Sequence, residues 1–392
     1  MLNALRVPRR TVASVLMLAL LGAVGAAAAV PAAADTVRDA QMWVLDAVSA
    51  PAAWSVTRGH GSTVAVIDSG VNPHVSDLAG SVITGPDLTG VHTPPANPNW
   101  GVHGTWMASL IAGHGHDGGG GIEGVAPTST VLSIRVVTDR HDPRYSAYEH
   151  ESDSRVQNAL AQAITYAIKR RADVISMSLG YREPSMAVRF ALQDAFDHGI
   201  VVVASSGNDG NSAPGGSTRQ APYSFPADYP GVLGVAAVSR SGSPARFSSD
   251  NLSVQVAAPG VNVPAQGRDG QYWLVSGTSP ACALTAGVAA LIKARYPHLA
   301  PALVVQAITS STRNRPPGGY DNKVGFGAVD AAAALAVAAN LAARSHSQAG
   351  AATTLHFGGG AAAVPPVPIA PRGAAGLIVA CLLAVAFLAA TG

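Results

Sequence analysis

From residue 61 onward, short apolar runs alternate with longer stretches in which apolar residues recur at helical spacing. The runs at 63–67, 131–136, 173–177, 200–204, 232–237 and 254–257 predict buried strands. The stretches at 105–112, 154–170, 187–198 and 281–295 predict helices. A strand that is apolar on both faces must lie in a sheet covered on both sides, and strand–helix alternation supplies that cover through parallel crossovers. The pattern predicts an α/β domain on a mostly parallel sheet, a three-layer arrangement in which functional groups collect beyond the carboxyl ends of the strands.

The two ends follow other patterns. Arg6, Arg9 and Arg10 precede an apolar run from Val12 to Val30 that closes in Ala32, Ala33 and Ala34, the pattern of a secretory signal over 1–34 cleaved near Ala34. At the other end, an Ala/Gly/Pro-rich stretch at 344–372 reads as a linker. It leads into an uncharged run at 373–392, long enough to span a bilayer as a helix; a buried C-terminal helix is the competing reading. The expected organisation is a signal at 1–34, an extension at 35–60, an α/β domain at 61–343, the linker, and a transmembrane helix. Fewer than thirty residues separate Ala34 from Thr63, too few for a separately folded inhibitory domain. The extension is therefore expected to lie along the α/β domain, anchored by Trp43 and Leu45.

Composition narrows the function classes. A chain of 392 residues buries a sizeable core without disulfide staples. With 12% charged residues, 48% hydrophobic residues and a net charge of +2, it carries neither a nucleic-acid footprint nor a disordered composition. The 42 Gly and 27 Pro point to many turns and long structured loops. Cys282 and Cys381 fall in the α/β domain and the terminal apolar run, so no disulfide framework is read.

Chemistry gathers at three edges. The run Val64–Ile67 ends in Asp68-Ser69-Gly70, where a carboxylate taken alone is a turn or cap residue. His103-Gly104-Thr105 opens a predicted helix, where a charged imidazole gains nothing from the helix dipole and needs another partner. Ser276-Gly277-Thr278-Ser279-Pro280 leads into a helix so apolar that it must be buried, and Ser279 fits there as N-cap with Pro280 at the first helical position. Together the three say more, because a serine hydroxyl attacks only once a base takes its proton, and that imidazole needs a carboxylate to fix its tautomer. The chain order Asp68, His103, Ser279 is one of the known orders for such a trio. Asn208, after the run 200–204, is placed to donate to a developing oxyanion, with a turn residue as the competing reading.

These motifs resemble those of the subtilisin-like serine proteases, the subtilases. Val-Ile-Asp68-Ser-Gly-Val resembles the family's Asp motif, His103-Gly-Thr its His motif, Gly277-Thr-Ser279 its Ser motif, and Ser206-Gly207-Asn208 its oxyanion motif. Asp173-Val-Ile-Ser-Met-Ser-Leu-Gly180 resembles the strand bordering the substrate cleft, so the resemblance implies that Ser178, Leu179, Gly180, Ser206 and Gly207 contact substrate. A narrower likeness, through 37–43, 107–113 and the terminal apolar run, is to the mycosins, membrane-anchored subtilases associated with type VII secretion. Mycosins usually carry disulfides and a basic cytoplasmic tail, and neither is readable here; Pro280 also replaces the family's usual Met or Phe. The resemblance implies a subtilisin-like α/β fold and an extracytoplasmic, single-pass membrane endopeptidase. It implies protein or peptide substrates, a link to the type VII secretion machinery, and an Asp68-His103-Ser279 triad with Asn208 in the oxyanion hole. A scaffold subunit of a membrane secretion complex, on the same fold but without required catalysis, is the alternative.

Other motifs are set aside. Gly113-His-Gly115-His-Asp-Gly118 matches a dinucleotide fingerprint but opens no helix, and reads as a flexible loop. His150-Glu151 lacks the second histidine of a zincin, and no Gly-x-Ser-x-Gly surrounds Ser279. His114, His116 and Asp117 read as surface-loop residues, and no cofactor or metal is expected.

Overall fold

A computed structural model describes residues 31–32, 34–91, 93–116, 119–139, 142, 153–210 and 221–348. Of the signal expected over 1–34, residues 1–30 and 33 lie outside the described residues, as does the run at 373–392. Among those described, no helix is long and apolar enough to cross a membrane.

Seven strands form one fully parallel sheet: β1 (Thr63–Asp68), β2 (Val82–Asp87), β3 (Thr130–Arg135), β4 (Val174–Met177), β5 (Val201–Ser205), β6 (Leu233–Val238) and β7 (Val254–Pro259). Their spatial order is β7-β6-β5-β4-β1-β3-β2. After β1 the chain crosses to the edge strand β2 and returns to β3 on one side, and from β4 it builds outward on the other. A crevice therefore opens above the carboxyl ends of β1 and β4, where the winding reverses. β1 ends in Asp68 and β4 runs into Ser178.

Alternation along each strand divides the core. Val64 and Val66 face a layer containing α2 (Val102–Ala112) and α5 (Thr278–Arg295). Ala65 and Ile67 face the opposite layer of α3 (Asp153–Lys169) and α4 (Met186–Asp197). α5 is sheathed almost all round, with every residue from Pro280 to Lys293 buried. Its small side chains let it run under the sheet and hold its first turn fixed at the crevice.

Six strands and four helices fall where the hydrophobic pattern predicts them, with ends shifted by one to three residues. The seventh strand, β2, lies at the sheet edge with half its residues exposed, and Gly85-Pro86 interrupts its alternation. The extension is helical: α1 (Ala34–Ala47) buries Val37, Gln41, Val44 and Leu45 at helical spacing. Leu45 anchors it as expected, and Trp43 is half-buried against the same core. The Gln41 amide makes two bonds to the Glu123 backbone, at 2.7 and 3.0 Å.

Two expectations need correction. The stretch expected as a flexible loop contains a hairpin of His114–His116 with Gly120–Glu123. His116 Nδ1 pairs there with the carboxylate of Asp77, which is wholly buried and also accepts the Ile122 N–H at 2.7 Å. The buried carboxylate gives His116 and Ile122 a partner that local composition does not disclose. The linker expected from Arg344 likewise begins as helix: α6 (Ala331–Gln348) continues through residue 348.

Candidate active site

Asp68 leaves the sheet with its side chain almost wholly buried, held by the Ser69 N–H at 2.7 Å. His103 lies in the first turn of α2, three residues further into the helix than the apolar pattern predicts. Its Nδ1 is 2.8 Å from Asp68 Oδ1 and 3.0 Å from Oδ2. An ionised carboxylate only accepts, so Nδ1 carries the proton and neutral His103 presents a bare Nε2.

The helix that carries His103 is capped from elsewhere. Asp139 accepts the Val102 N–H at 3.0 Å and the His103 N–H at 2.9 Å, satisfying two first-turn donors at the positive end of the dipole. Burial works against a charged His103, yet the charge and hydrogen bond of Asp68, with the charge of Asp139 added, hold its pKa above the ordinary histidine value. Burial also raises the Asp139 pKa, an effect its N–H bonds and the His103 charge oppose. Asp139→Asn keeps an acceptor and removes the charge, so His103 should lose its proton more readily. The acid limb of kcat/KM against pH is expected to move to lower pH. An unmoved limb would show that Asp139 only caps the helix.

Ser279 is not the N-cap of α5. The helix begins at Thr278, with Gly277 as N-cap at φ 153° and ψ 174°, a conformation essentially reserved for glycine. The capping acceptor is Asn208, whose Oδ1 accepts both the Thr278 N–H at 2.9 Å and the Thr278 hydroxyl at 3.0 Å. With the amide oxygen engaged this way, Nδ2 remains as a donor beside Gly277. The Ser279 N–H is among the first-turn groups that the helix ladder leaves unused. The Ser279 hydroxyl donates to the Ser178 carbonyl at a long 3.4 Å and makes no hydrogen bond to His103. Ser178 returns a bond from its own hydroxyl to the Ser279 carbonyl at 3.2 Å.

Two cavities meet at Ser178. One, of about 430 Å³, is lined by Asp68, His103, Trp106 and Asp139; the other, of about 340 Å³, is lined by Leu179, Gly180, Gly207, Asn208 and Ser279. Chemically, this places a carboxylate–imidazole pair beside one cavity and a hydroxyl with two N–H donors on residues lining its neighbour.

The subtilase family model matches residues 59–327. The chain belongs to the subtilase family. Thermitase of Thermoactinomyces vulgaris is 35% identical to this subtilase over 245 residues, 62% of this chain and 79% of thermitase. Mycosin-3 of Mycobacterium tuberculosis is 33% identical over 330 residues, 73% of this chain and 69% of the mycosin. The crystal structure of MycP1 from Mycobacterium smegmatis matches with a TM-score of 0.61 at 29% identity, covering 75% of this chain and 84% of that one. This subtilase is thus a serine endopeptidase of a family that includes thermitase, and it is similar to the mycosins.

Of the residues the sequence proposes for substrate contact, Ser178, Leu179, Gly180 and Gly207 line the second cavity. Ser206 does not: it is fully buried beneath the wall, its N–H bonded to the Val235 carbonyl at 3.0 Å. It follows the last residue of β5, and its side chain turns into the protein, whereas Ser205 and Gly207 on either side line the cavity. Sequence reasoning missed Asp139, whose partners lie 36 and 37 positions away. It also missed the buried Arg135, which donates to the Ser69 carbonyl at 3.1 Å and pairs with Asp87 and Asp142 at 2.6 and 3.1 Å. Arg135 is the residue of β3 in register with Asp68, so alternation on the sheet is the signal that could have found it.

Proposed function

We propose that this subtilase is a membrane-anchored, extracytoplasmic endopeptidase that cleaves peptide bonds through Asp68, His103 and Ser279 and works alongside a type VII secretion system. The observation that carries the catalytic part is the His103–Asp68 bond, which leaves Nε2 as an acceptor on a residue whose cavity meets, at Ser178, the cavity lined by Ser279. As substrate enters, the Ser279 hydroxyl leaves its long contact with Ser178 and gives its proton to His103 Nε2 while Oγ attacks the peptide carbonyl. The imidazolium formed is stabilised by Asp68. The oxyanion is met by Asn208 Nδ2 and the Ser279 N–H. His103 then protonates the departing amine, and water releases the acyl group by the same route. A fluorophosphonate probe is expected to label Ser279; a folded chain that resists labelling would favour the scaffold reading.

The secretion link is supported by similarity to the mycosins, of which the MycP3 structure is described as a protease from the type VII (ESX-3) secretion system. Anchoring is supported by the apolar run at 373–392. The full chain is expected to stay in the membrane pellet through a carbonate wash. A chain stopped after Gln348, where α6 ends, should be secreted and active. A full chain that washes free would remove the anchor from this reading.

A further inference from the structure

The cavity beside Ser279 is polar along most of its wall. Ser178, Ser205, Ser224, Asn208 and Thr278 contribute hydroxyls or amides, and Leu179 and Tyr181 are its larger apolar neighbours. Space along one wall is set by Gly180, where an added Cβ would collide with the Ser224 hydroxyl. Among the described lining residues the formal charges are Arg182 and Asp209, paired at 3.0 Å between Arg182 Nη2 and Asp209 Oδ1. Their side chains are 49% and 31% exposed, whereas Ser205 and Ser224 are nearly inaccessible, so the pair sits at the rim and the hydroxyls lie deeper.

A carbonyl attacked by Ser279, with its oxygen toward Asn208, presents the side chain of the residue N-terminal to the scissile bond to this cavity. Asp209 by itself would attract a lysine or arginine there. Arg182 cancels that charge and fills part of the rim. A large apolar side chain would strip water from the hydroxyls and amides without replacing their hydrogen bonds, which costs free energy for each group left unpaired.

We propose that Arg182 is a specificity-determining residue: by pairing with Asp209 it turns a pocket that would select basic side chains into one for small uncharged polar side chains, such as serine, threonine or asparagine, at the residue whose carbonyl Ser279 attacks. This rests on the reading of Ser279 as nucleophile, because that reading fixes which substrate residue faces the cavity. Neutralising one member of a partly exposed pair shifts a charged partner's binding by a few-fold.

The test uses the full chain carrying Ser279→Ala, which keeps the pocket and does not require turnover. Binding is measured by fluorescence anisotropy for three labelled product peptides that differ only in a C-terminal Ser, Lys or Glu. In the parent the Ser peptide should bind tightest. Adding Arg182→Ala should raise the Lys-to-Ser affinity ratio about three- to fivefold, and Arg182→Lys, which keeps the charge, should restore it. Adding Asp209→Ala should raise the Glu-to-Ser ratio by a similar factor. Ratios that stay put in both variants, or peptides that fail to bind the folded chain, overturn the proposal. Fluorophosphonate labelling of the chain with Ser279 intact examines the nucleophile separately: absent labelling alongside shifted ratios removes the catalytic reading and leaves the pocket's selectivity standing.

Discussion

Replacing Ser279 by Ala is expected to lower kcat by about 10⁶-fold with the fold intact, and His103→Ala should cost nearly as much. The near-equality is the informative part. If His103 acts only on the Ser279 proton, its removal leaves a hydroxyl that cannot be activated, and the double variant should lose little more than either single one. Residual cleavage would come from the donors at Asn208 and the Ser279 N–H and from binding alone. Asp68→Asn should cost less than either, because a neutral amide still occupies the site but no longer enforces the Nδ1–H tautomer or stabilises the imidazolium. Ser279→Ala removes one hydroxyl, whose hydrogen bond is the long 3.4 Å contact with the Ser178 carbonyl, so the thermal midpoint should stay close to the parent's. Purified Ser279→Ala that still cleaves peptides at the parent rate would sink this assignment of the nucleophile.

Strands with both faces buried were legible because apolar residues dominate both of their faces: β1, β3, β4, β5, β6 and β7 each read as a short, mainly apolar run. The edge strand β2 was hidden for the opposite reason, since an exposed edge has no core face to impose a pattern. The positions of Asp68, His103 and Ser279 were legible as motifs at element ends, but the contacts that orient them were not. Asp139 caps the His103 helix across 36 residues, and Asn208 caps the Ser279 helix across 70. Capping preferences describe neighbours in sequence, and here they favoured Ser279 as its own cap. The acceptor that replaces it is set by where β5 ends beside α5, a relation that exists only after the sheet has formed. Ser206 shows the same limit in reverse. A motif of three adjacent residues carries no information about which of them turns inward.

The double engagement of Asn208 allows its two roles to be separated. Oδ1 caps α5 through Thr278, while Nδ2 is the donor left for an oxyanion. Asn208→Ala removes both: it should lower kcat by about 10²–10³, with KM little changed, and also cost about 1 kcal/mol of stability from the lost cap. Asn208→Asp separates them. A carboxylate still accepts from the Thr278 N–H at the positive end of the helix dipole, so stability should hold or rise slightly. The same carboxylate offers no donor to the developing oxyanion and places a like charge beside it, so kcat should fall at least as far as in Asn208→Ala. Thermal denaturation and steady-state kinetics on the two variants therefore diverge: one is both less stable and slow, the other is stable and slower still. Should Asn208→Asp instead keep most of its kcat, the oxyanion is stabilised elsewhere and Asn208 serves only to hold the first turn of α5.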